Sequence, residues 1–248
     1  FYGSKSDEDL SKTVHTSLLL SLIGGVALTF IGLFGAIGML EVMSTPEEIL
    51  PLATVYLRIY FIGMPSVTIY NFGSAILRSV GDTKRPLYYL ATAGVLNVIL
   101  NIIFVVVFKM DVAGVALATI LTQTLSAYLI VRCLMRETGA IKLELKKLRI
   151  DKTKLLQIIR IGLPSGLQGT LFSLSNVVIQ SSINLFGDVV VAGNAAAGNL
   201  EGFVYVAMNS FAQAVVSFTS QNFGRHNFKR IVRIQLIGQA CAVVTGLI

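Results

Sequence analysis

One carboxylate, that of Glu201, lies within a long apolar stretch in the second half of the chain. An ionised carboxylate is costly in apolar surroundings, so such a residue is usually paired or functional. The helical repeat places Asn194, Gly198, Tyr205 and Met208 on the same face as this carboxylate. A face with a carboxylate, an amide and an aromatic ring suits a cavity for cationic compounds, in which the carboxylate could also exchange a proton. The alternative is a protonated or hydrogen-bonded Glu201 between packed helices.

A second group of polar side chains lies in the first half of the chain. Asn97 and Asn101 are four residues apart and therefore share one face of a helix. Thr119, in the next apolar stretch, could face them. Amides and hydroxyls commonly join membrane helices by hydrogen bonds, so an interhelical contact is one interpretation of this group.

A stripe of side chains, four of them polar and one aromatic, runs along the stretch that precedes Glu201, with one member every four residues. Its members are Gln168, Phe172, Asn176, Gln180 and Asn184. A stripe with this spacing follows one helical face, which we expect to contact protein or water rather than lipid. Cavity lining and helix packing are both consistent with it.

Long apolar stretches carry all of these side chains. Six of them reach about 20 residues or more, the length a helix needs to cross a hydrocarbon core of roughly 30 Å. They are Thr16–Leu40, Ile49–Ile76, Leu87–Phe108, Val112–Val131, Ile161–Phe186 and Val189–Ser220, and a seventh, shorter run is Ile234–Ile248. Backbone groups in lipid must be paired internally, so the stretches are predicted to be helices. The fold class is therefore an all-α polytopic membrane protein, with six complete transmembrane helices and a truncated seventh.

The composition excludes several other classes of protein. Hydrophobic residues make up 54% of the chain and charged residues only 13%, whereas about a quarter of the residues of a soluble domain are charged. The net charge of +7 comes from Lys and Arg in the loops, so no nucleic-acid partner is expected. No zinc-protease motif, nucleophile elbow or pair of in-span aspartates is present, and we expect no enzyme. Cys133 and Cys241 are expected to be free thiols.

The loop charges predict an orientation. Lys and Arg concentrate at the start of the chain, around residues 78–85, in a basic connector over residues 137–160, and around residues 225–233. By the positive-inside rule these segments lie on the cytoplasmic side of a plasma membrane, with the N-terminus of the chain inside. The connector is expected to lie on anionic headgroups.

A short internal repeat joins the two ends of the chain. Tyr2-Gly3, followed by Leu10 and Lys12, resembles Phe223-Gly224, followed by Ile231 and Arg233, at a constant offset of 221 residues. Repeats related by an axis along the membrane normal occur in secondary transporters. The repeat predicts a parent protein of about twelve spans, of which this chain is a fragment.

Five motifs, in order along the chain, resemble those of the multidrug and toxic compound extrusion (MATE) family. They are Ala75–Pro86, Leu96–Asn101, Val112–Thr119, Ile161–Ser165 and Gln221–Gly224. The resemblance covers essentially the whole chain. It implies a transporter of twelve helices in two lobes around a central cavity, of which this chain would hold spans three to eight and the start of nine.

The resemblance also implies a division into domains. Residues 1–136 would form the latter part of the N-terminal lobe with four transmembrane helices. Residues 137–160 would be the cytoplasmic connector, and residues 161–248 would begin the C-terminal lobe with two helices and part of a third.

Residues of a cation-coupling site follow from the same resemblance. The first-lobe site of the family uses an Asn, an acid four residues later, a Thr in the next span and an Asp from the first span. Asn97 and Thr119 match, and the first-span Asp would lie outside this fragment. Asn101 departs from this pattern, because an amide stands where an acid is common. The three residues are a candidate sodium site, with interhelical hydrogen bonding as the alternative. Glu201 is the candidate coupling carboxylate of the second lobe.

The function implied is export of cationic or amphipathic drugs and toxins by alternating access, in exchange for sodium ions or protons. Gln168, Asn176, Gln180, Asn194, Tyr205 and Met208 are the candidate cavity residues. No cofactor is expected besides the coupling ion, and the expected partners are small-molecule substrates and the lipid bilayer, with a monomeric protein. The alternatives are a lipid-linked saccharide flippase of the same superfamily and a non-transporting membrane scaffold.

Overall fold

A computed structural model describes residues 1–42, 47–184, 186 and 188–247 of the chain. The described residues form helices joined by short turns, without strands, which confirms the all-α fold class. The helices are α1 (Asp7–Val42), α2 (Leu50–Ile62), α3 (Met64–Ser79), α4 (Lys84–Asn101), α5 (Asp111–Arg136), α6 (Lys152–Asn184), α7 (Asp188–Phe223) and α8 (Phe228–Leu247). A π-helical segment, Ile102–Val107, continues α4.

In the part of the chain that the structure describes, each predicted span corresponds to a helix or a pair of helices, whose ends differ from the predicted ones at several places. Among the described residues, α1, α5, α8 and α4 with its π-helical continuation are both long and apolar enough to cross a membrane. The pair α2 and α3 would form a fifth span, bent by 47°. Helices α6 and α7 run for 33 and 36 residues, longer than a span requires. The sequence predicted a span in each of these two helices, but among the described residues neither meets the same criterion of length and apolar composition, whereas α8, predicted to be truncated, does meet it.

The bend between α2 and α3 lies at Gly63, two residues before Pro65. Proline has no backbone N–H, so it cannot bond to the carbonyl of the residue four positions earlier, which is Phe61. The Thr29 hydroxyl of α1 donates a hydrogen bond of 2.8 Å to the Phe61 carbonyl. A neighbouring helix thus satisfies a carbonyl that proline leaves free, which is how membrane helices tolerate such breaks.

Small residues allow α1 to approach α3 closely. A Cβ atom at Gly25 would lie 2.5 Å from Pro65 Cα and 2.5 Å from Thr68 Oγ1. The Thr68 hydroxyl donates to the Ser21 carbonyl of α1 at 2.8 Å. Close packing at glycine together with an interhelical hydrogen bond is the usual contact between helices in lipid, where the hydrophobic effect does not drive association.

The chain divides into two compact units, a first unit over residues 7–155 and a second unit over residues 1–6 and 156–248. The core of the first unit is formed by α1, α3, α5 and the start of the connector. Its fully buried members include Val14, Leu77, Ile130 and Leu134. The assignment of the predicted segments to two transporter lobes stays a prediction.

The first part of the connector packs against protein. Ile141 and Leu143 belong to the core of the first unit, with exposed fractions of 9% and 5%. The Glu144 backbone N–H donates to His15 Nε2 at 3.1 Å, and the Asp151 backbone N–H donates to Thr16 Oγ1 at 3.1 Å. Residues 141–151 are therefore tied to α1 by specific contacts, in addition to any contact of their exposed lysines with headgroups.

The turn between α3 and α4 is fixed by one arginine. Gly81 has a φ of 96°, a left-handed conformation that favours glycine. The Arg85 guanidinium pairs with Asp82 of the same turn and with Glu137 at the end of α5. It also donates to Cys133 Sγ at 3.2 Å. The turn is thus joined to α5 by an ion pair whose carboxylates are mostly buried.

The internal repeat has the same backbone in both copies. Lys5 and His226, which are 221 residues apart, both have a φ of 55°. The Lys5 N–H donates to the Tyr2 carbonyl at 3.3 Å, and the His226 N–H donates to the Phe223 carbonyl at 3.0 Å. Helices α1 and α8 then begin at equivalent positions. The repeat predicted from the sequence is confirmed at this turn.

The two copies of this turn also pack against each other within the second unit. A Cβ atom at Gly3 would overlap the backbone carbonyl of Gln221. A Cβ atom at Gly224 would lie 2.8 Å from the backbone nitrogen of Ser4. The aromatic-Gly pairs of the repeat therefore place their glycines where two backbones meet.

Candidate functional site

The two asparagines of α4 form a hydrogen-bonded pair that faces α5. Asn101 Nδ2 donates to Asn97 Oδ1 at 3.0 Å. Asn97 Nδ2 in turn donates to Thr122 Oγ1 of α5 at 3.3 Å. The four-residue spacing on α4 thus brings both amides to the interface with α5.

Thr122 is a member of this group that the sequence analysis missed. Its side chain is 4% exposed, and its hydroxyl donates to the carbonyls of Ala118 and Thr119, each at 2.9 Å. The predicted Thr119 lies one turn away, and its own hydroxyl donates to the Val115 carbonyl at 2.9 Å. Thr119 and Thr122 are three residues apart, which is the spacing of neighbours on one helical face.

One oxygen of this group has no partner. Asn101 Oδ1 is buried, and it meets no hydrogen-bond donor among the described residues. A buried carbonyl oxygen without a partner costs about 1–3 kcal/mol, because its hydration is not replaced. The π-helical segment begins at the next residue, Ile102, and such segments are frequent at functional sites. This oxygen can accept a hydrogen bond or coordinate a cation.

The group formed by Asn97, Asn101, Thr119 and Thr122 contains no carboxylate of its own. The described residues contain no group of three or more His, Cys, Asp and Glu side chains that could hold a metal ion. The Asn97, Asn101 and Thr122 side chains offer only neutral oxygens. Such a set suits a weakly held monovalent cation or a water molecule better than a divalent metal.

Glu201 lies on α7 in the second unit, with an exposed side chain. Because α7 is a continuous helix, Asn194, Tyr205 and Met208 share its face, as predicted. Tyr205 is 58% exposed and Met208 is 40% exposed. Within the second unit this face is therefore not covered by packing.

The stripe on α6 meets the face of α7 at one point. Asn194 Nδ2 donates to Gln180 Oε1 at 3.3 Å, which joins two of the predicted cavity residues. Gln168 and Asn176 are exposed on α6. The side chain of Asn184 lies outside the described part of the chain.

A sequence model of the MatE family matches residues 1–103 and 164–248. Among curated proteins, the chain is 36% identical over 204 residues to the "Probable multidrug resistance protein YpnP" of Bacillus subtilis (strain 168), covering 80% of this chain and 45% of that protein. It is 29% identical to the "Probable multidrug resistance protein YoeA" of the same strain, covering 96% and 53%. It is also 26% identical to the "FAD transporter" of Shewanella oneidensis, covering 90% and 50%. The chain thus spans about half the length of these relatives.

Solved structures agree with the family match. A crystal structure of "MATE in the bent conformation" superposes with a TM-score of 0.90 at 27% identity, covering 99% of this chain and 55% of that one. A MOP superfamily transporter from Pyrococcus furiosus, described as having a binding pocket of reverse polarity, superposes with a TM-score of 0.91 at 27% identity, covering 99% and 55%. The family match over most of the chain, together with these superpositions, leads to one conclusion: the chain belongs to the MatE family.

Proposed function

We propose that the full-length protein exports cationic or amphipathic compounds across the cytoplasmic membrane in exchange for sodium ions or protons. The observation that carries this proposal is Glu201, the one acid within the apolar stretches of the second unit. It shares its helical face with an amide and an aromatic ring. An anionic face of this kind attracts an organic cation and repels an organic anion.

The substrate would lie between the polar faces of α6 and α7. Gln168, Asn176 and Gln180 on α6 offer amides, and Asn194 on α7 already reaches Gln180. Tyr205 and Met208 add an aromatic face and a polarisable thioether, which adapt to flat apolar compounds. The set supports a cavity that accepts varied amphipathic cations rather than one fixed ligand.

Coupling would use one or both of two groups. The Glu201 carboxylate would bind either a proton or the cationic substrate, so that binding of one favours release of the other. Asn97, Asn101 and Thr119, with Thr122 beside them, would bind a sodium ion through neutral oxygens. The buried Asn101 Oδ1 without a partner supports this second role. The protein would be monomeric, with the N-terminus of this chain on the cytoplasmic side and the bilayer as its partner.

An organic anion is the second candidate substrate. The Shewanella relative is named as an FAD transporter, and FAD carries phosphates. A negatively charged substrate would be repelled by Glu201 unless a cation accompanied it. The cationic substrate is therefore favoured, and the test below includes FAD as a competitor.

The test measures ethidium transport in proteoliposomes made with the full-length protein. Vesicles receive either a sodium gradient or a pH gradient, each at zero membrane potential. We expect one of the two gradients to drive ethidium against its concentration gradient, and excess FAD to leave the rate unchanged. Ethidium movement that is independent of both gradients would contradict antiport. Inhibition by FAD would favour an organic anion as the substrate.

Asn101→Ala separates the sodium site from an interhelical contact. If Asn101 holds the coupling ion, the sodium concentration for half-maximal transport should rise by roughly tenfold, a loss of ~1.4 kcal/mol of binding. If the residue only joins helices, the melting temperature should fall while the sodium dependence stays the same. Ser66→Ala, which removes an exposed hydroxyl bonded to Thr124 in the same unit, is the matched control.

A further inference from the structure

An open groove of about 710 Å³ lies between α7 and α8 in the second unit. This volume is within the range of about 300–1,000 Å³ that is typical of small-molecule sites. Its two ends differ in chemistry. Basic side chains stand where α8 begins, and apolar side chains continue along both helices.

The basic end consists of Lys229, Arg230 and Arg233. None of the ion pairs between described residues involves these three side chains. The sequence contains no acid from Gly202 to its end, so neither wall can neutralise them. Two guanidinium groups and an ammonium at one mouth form a site for a phosphate, which arginine binds with paired hydrogen bonds.

The apolar end is formed by side chains of both helices. Phe211 and Phe218 of α7 face Ile234 and Ile237 of α8 across the groove. Cys241 lies at the end far from the charges, about 16 Å along the axis from Arg230 at the ordinary helical rise. A chain of methylene groups would fit this wall, because burying each one gains roughly 0.8 kcal/mol.

A close contact between the two helices lies at the lining of the groove. A Cβ atom at Gly238 would overlap the Val215 side chain, so the helices touch at this point. The groove is therefore a feature of the α7–α8 packing and does not depend on the first unit.

We propose that the α7–α8 groove binds an anionic phospholipid, with its phosphate at Lys229, Arg230 and Arg233 and an acyl chain along the wall toward Cys241. Charge complementarity selects the anion, and the apolar wall along a membrane-spanning helix selects a lipid over a soluble phosphate. Basic pockets between transmembrane helices bind anionic headgroups for this reason.

The first experiment measures the melting temperature of the purified full-length protein in detergent with added lipid. Phosphatidylglycerol should raise the melting temperature, because a ligand of the folded state stabilises it, whereas phosphatidylcholine should not. The double variant Arg230→Gln/Arg233→Gln should lose most of this rise. The double variant Lys84→Gln/Lys109→Gln removes the same charge from exposed positions outside the groove and the connector, and it should keep the rise.

Each other outcome counts against the proposal. Equal stabilisation by both lipids would mean that the cations do not select the headgroup. An equal rise with inorganic phosphate alone would show a phosphate site without a lipid chain. If both double variants lost the rise in melting temperature, the overall charge of the protein, and not the groove, would explain the effect.

The second experiment follows the thiol at the apolar end. Cys133→Ser leaves Cys241 as the one cysteine of this chain. Alkylation of Cys241 by N-ethylmaleimide should be several-fold slower in vesicles containing phosphatidylglycerol than in pure phosphatidylcholine, because an acyl chain held in the groove shields the sulfur. Adding Arg230→Gln/Arg233→Gln should abolish that difference. Equal rates in both vesicle types without the arginine changes would overturn the proposal.

Discussion

Glu201→Gln is expected to lower ion-coupled export by the full-length protein at least about tenfold, which corresponds to ~1.4 kcal/mol of lost stabilisation. Glutamine keeps the size of the side chain and one acceptor oxygen, but it can neither carry a negative charge nor take up a proton. Both the attraction for a cationic substrate and the exchange of that substrate for a proton depend on these two properties. Initial rates of ethidium efflux at matched expression give the measurement.

The matched control for this variant is Glu48→Gln. Glu48 is an exposed carboxylate in the turn before α2, so its replacement removes the same charge outside the proposed cavity. Its efflux rate should equal that of the wild type. If Glu201→Gln also transported at the wild-type rate, Glu201 would have a structural role between helices, and coupling would depend on the asparagine group of the first unit.

Gly25→Ala is expected to destabilise the protein by about 1–3 kcal/mol, the usual cost of inserting a methyl group into a packed contact. The added Cβ would meet Pro65 Cα and Thr68 Oγ1, each at 2.5 Å. The backbone of α3 at Pro65 cannot move away from this Cβ without shifting the start of α3 at the 47° bend. The melting temperature of the purified protein and its recovery as a single species measure the effect.

Gly24→Ala provides a control at the adjacent position of the same helix. Among the described residues, a Cβ there would meet no atom within 4 Å apart from the nearby backbone of its own helix, so alanine adds no clash. Replacing a glycine inside a helix by alanine normally stabilises by about 0.5–1 kcal/mol. The two variants should therefore shift the melting temperature in opposite directions. Equal shifts would contradict the close α1–α3 contact.

Helices and the repeat could be predicted from the sequence for physical reasons. A long apolar stretch in lipid has no way to pair its backbone except as a helix, and among the described residues the six stretches correspond to helices α1 to α7, with α2 and α3 sharing the second stretch. Pro65 in the second stretch favours a kink there, because proline cannot donate a backbone hydrogen bond. The structure confirms that kink at Gly63. Aromatic-Gly pairs at a fixed offset predicted the two matching turns.

The packing of the connector and the partner of Asn97 could not be predicted in the same way. Basic residues in the connector suggested a segment on headgroups, whereas Ile141 and Leu143 bury themselves against α1 and α5. Short alternating apolar residues outside a regular element leave no periodicity that identifies their partner. Thr119 and Thr122 lie on the same face of α5, so their spacing does not show which hydroxyl contacts Asn97. The rotation of α5 against α4 decides this contact, and that rotation depends on packing.

The asparagine pair shows the same division between local and tertiary information. The spacing of Asn97 and Asn101 fixed their common face, and the structure joins their amides at 3.0 Å. The unpartnered Asn101 Oδ1 and the π-helical segment that follows it arise from how α4 meets α5. Neither the unpartnered oxygen nor the π-helical segment can be recognised from the residue types alone.

The most direct test of the central claim is ethidium efflux from a pump-deficient bacterial host that produces the full-length protein. Preloaded cells are energised, and the fall in ethidium fluorescence is followed against a host carrying the empty vector. We expect faster efflux than in the empty host, and loss of this gain when the sodium and proton gradients are both collapsed. Efflux equal to that of the empty host at confirmed membrane expression would contradict export of cationic compounds.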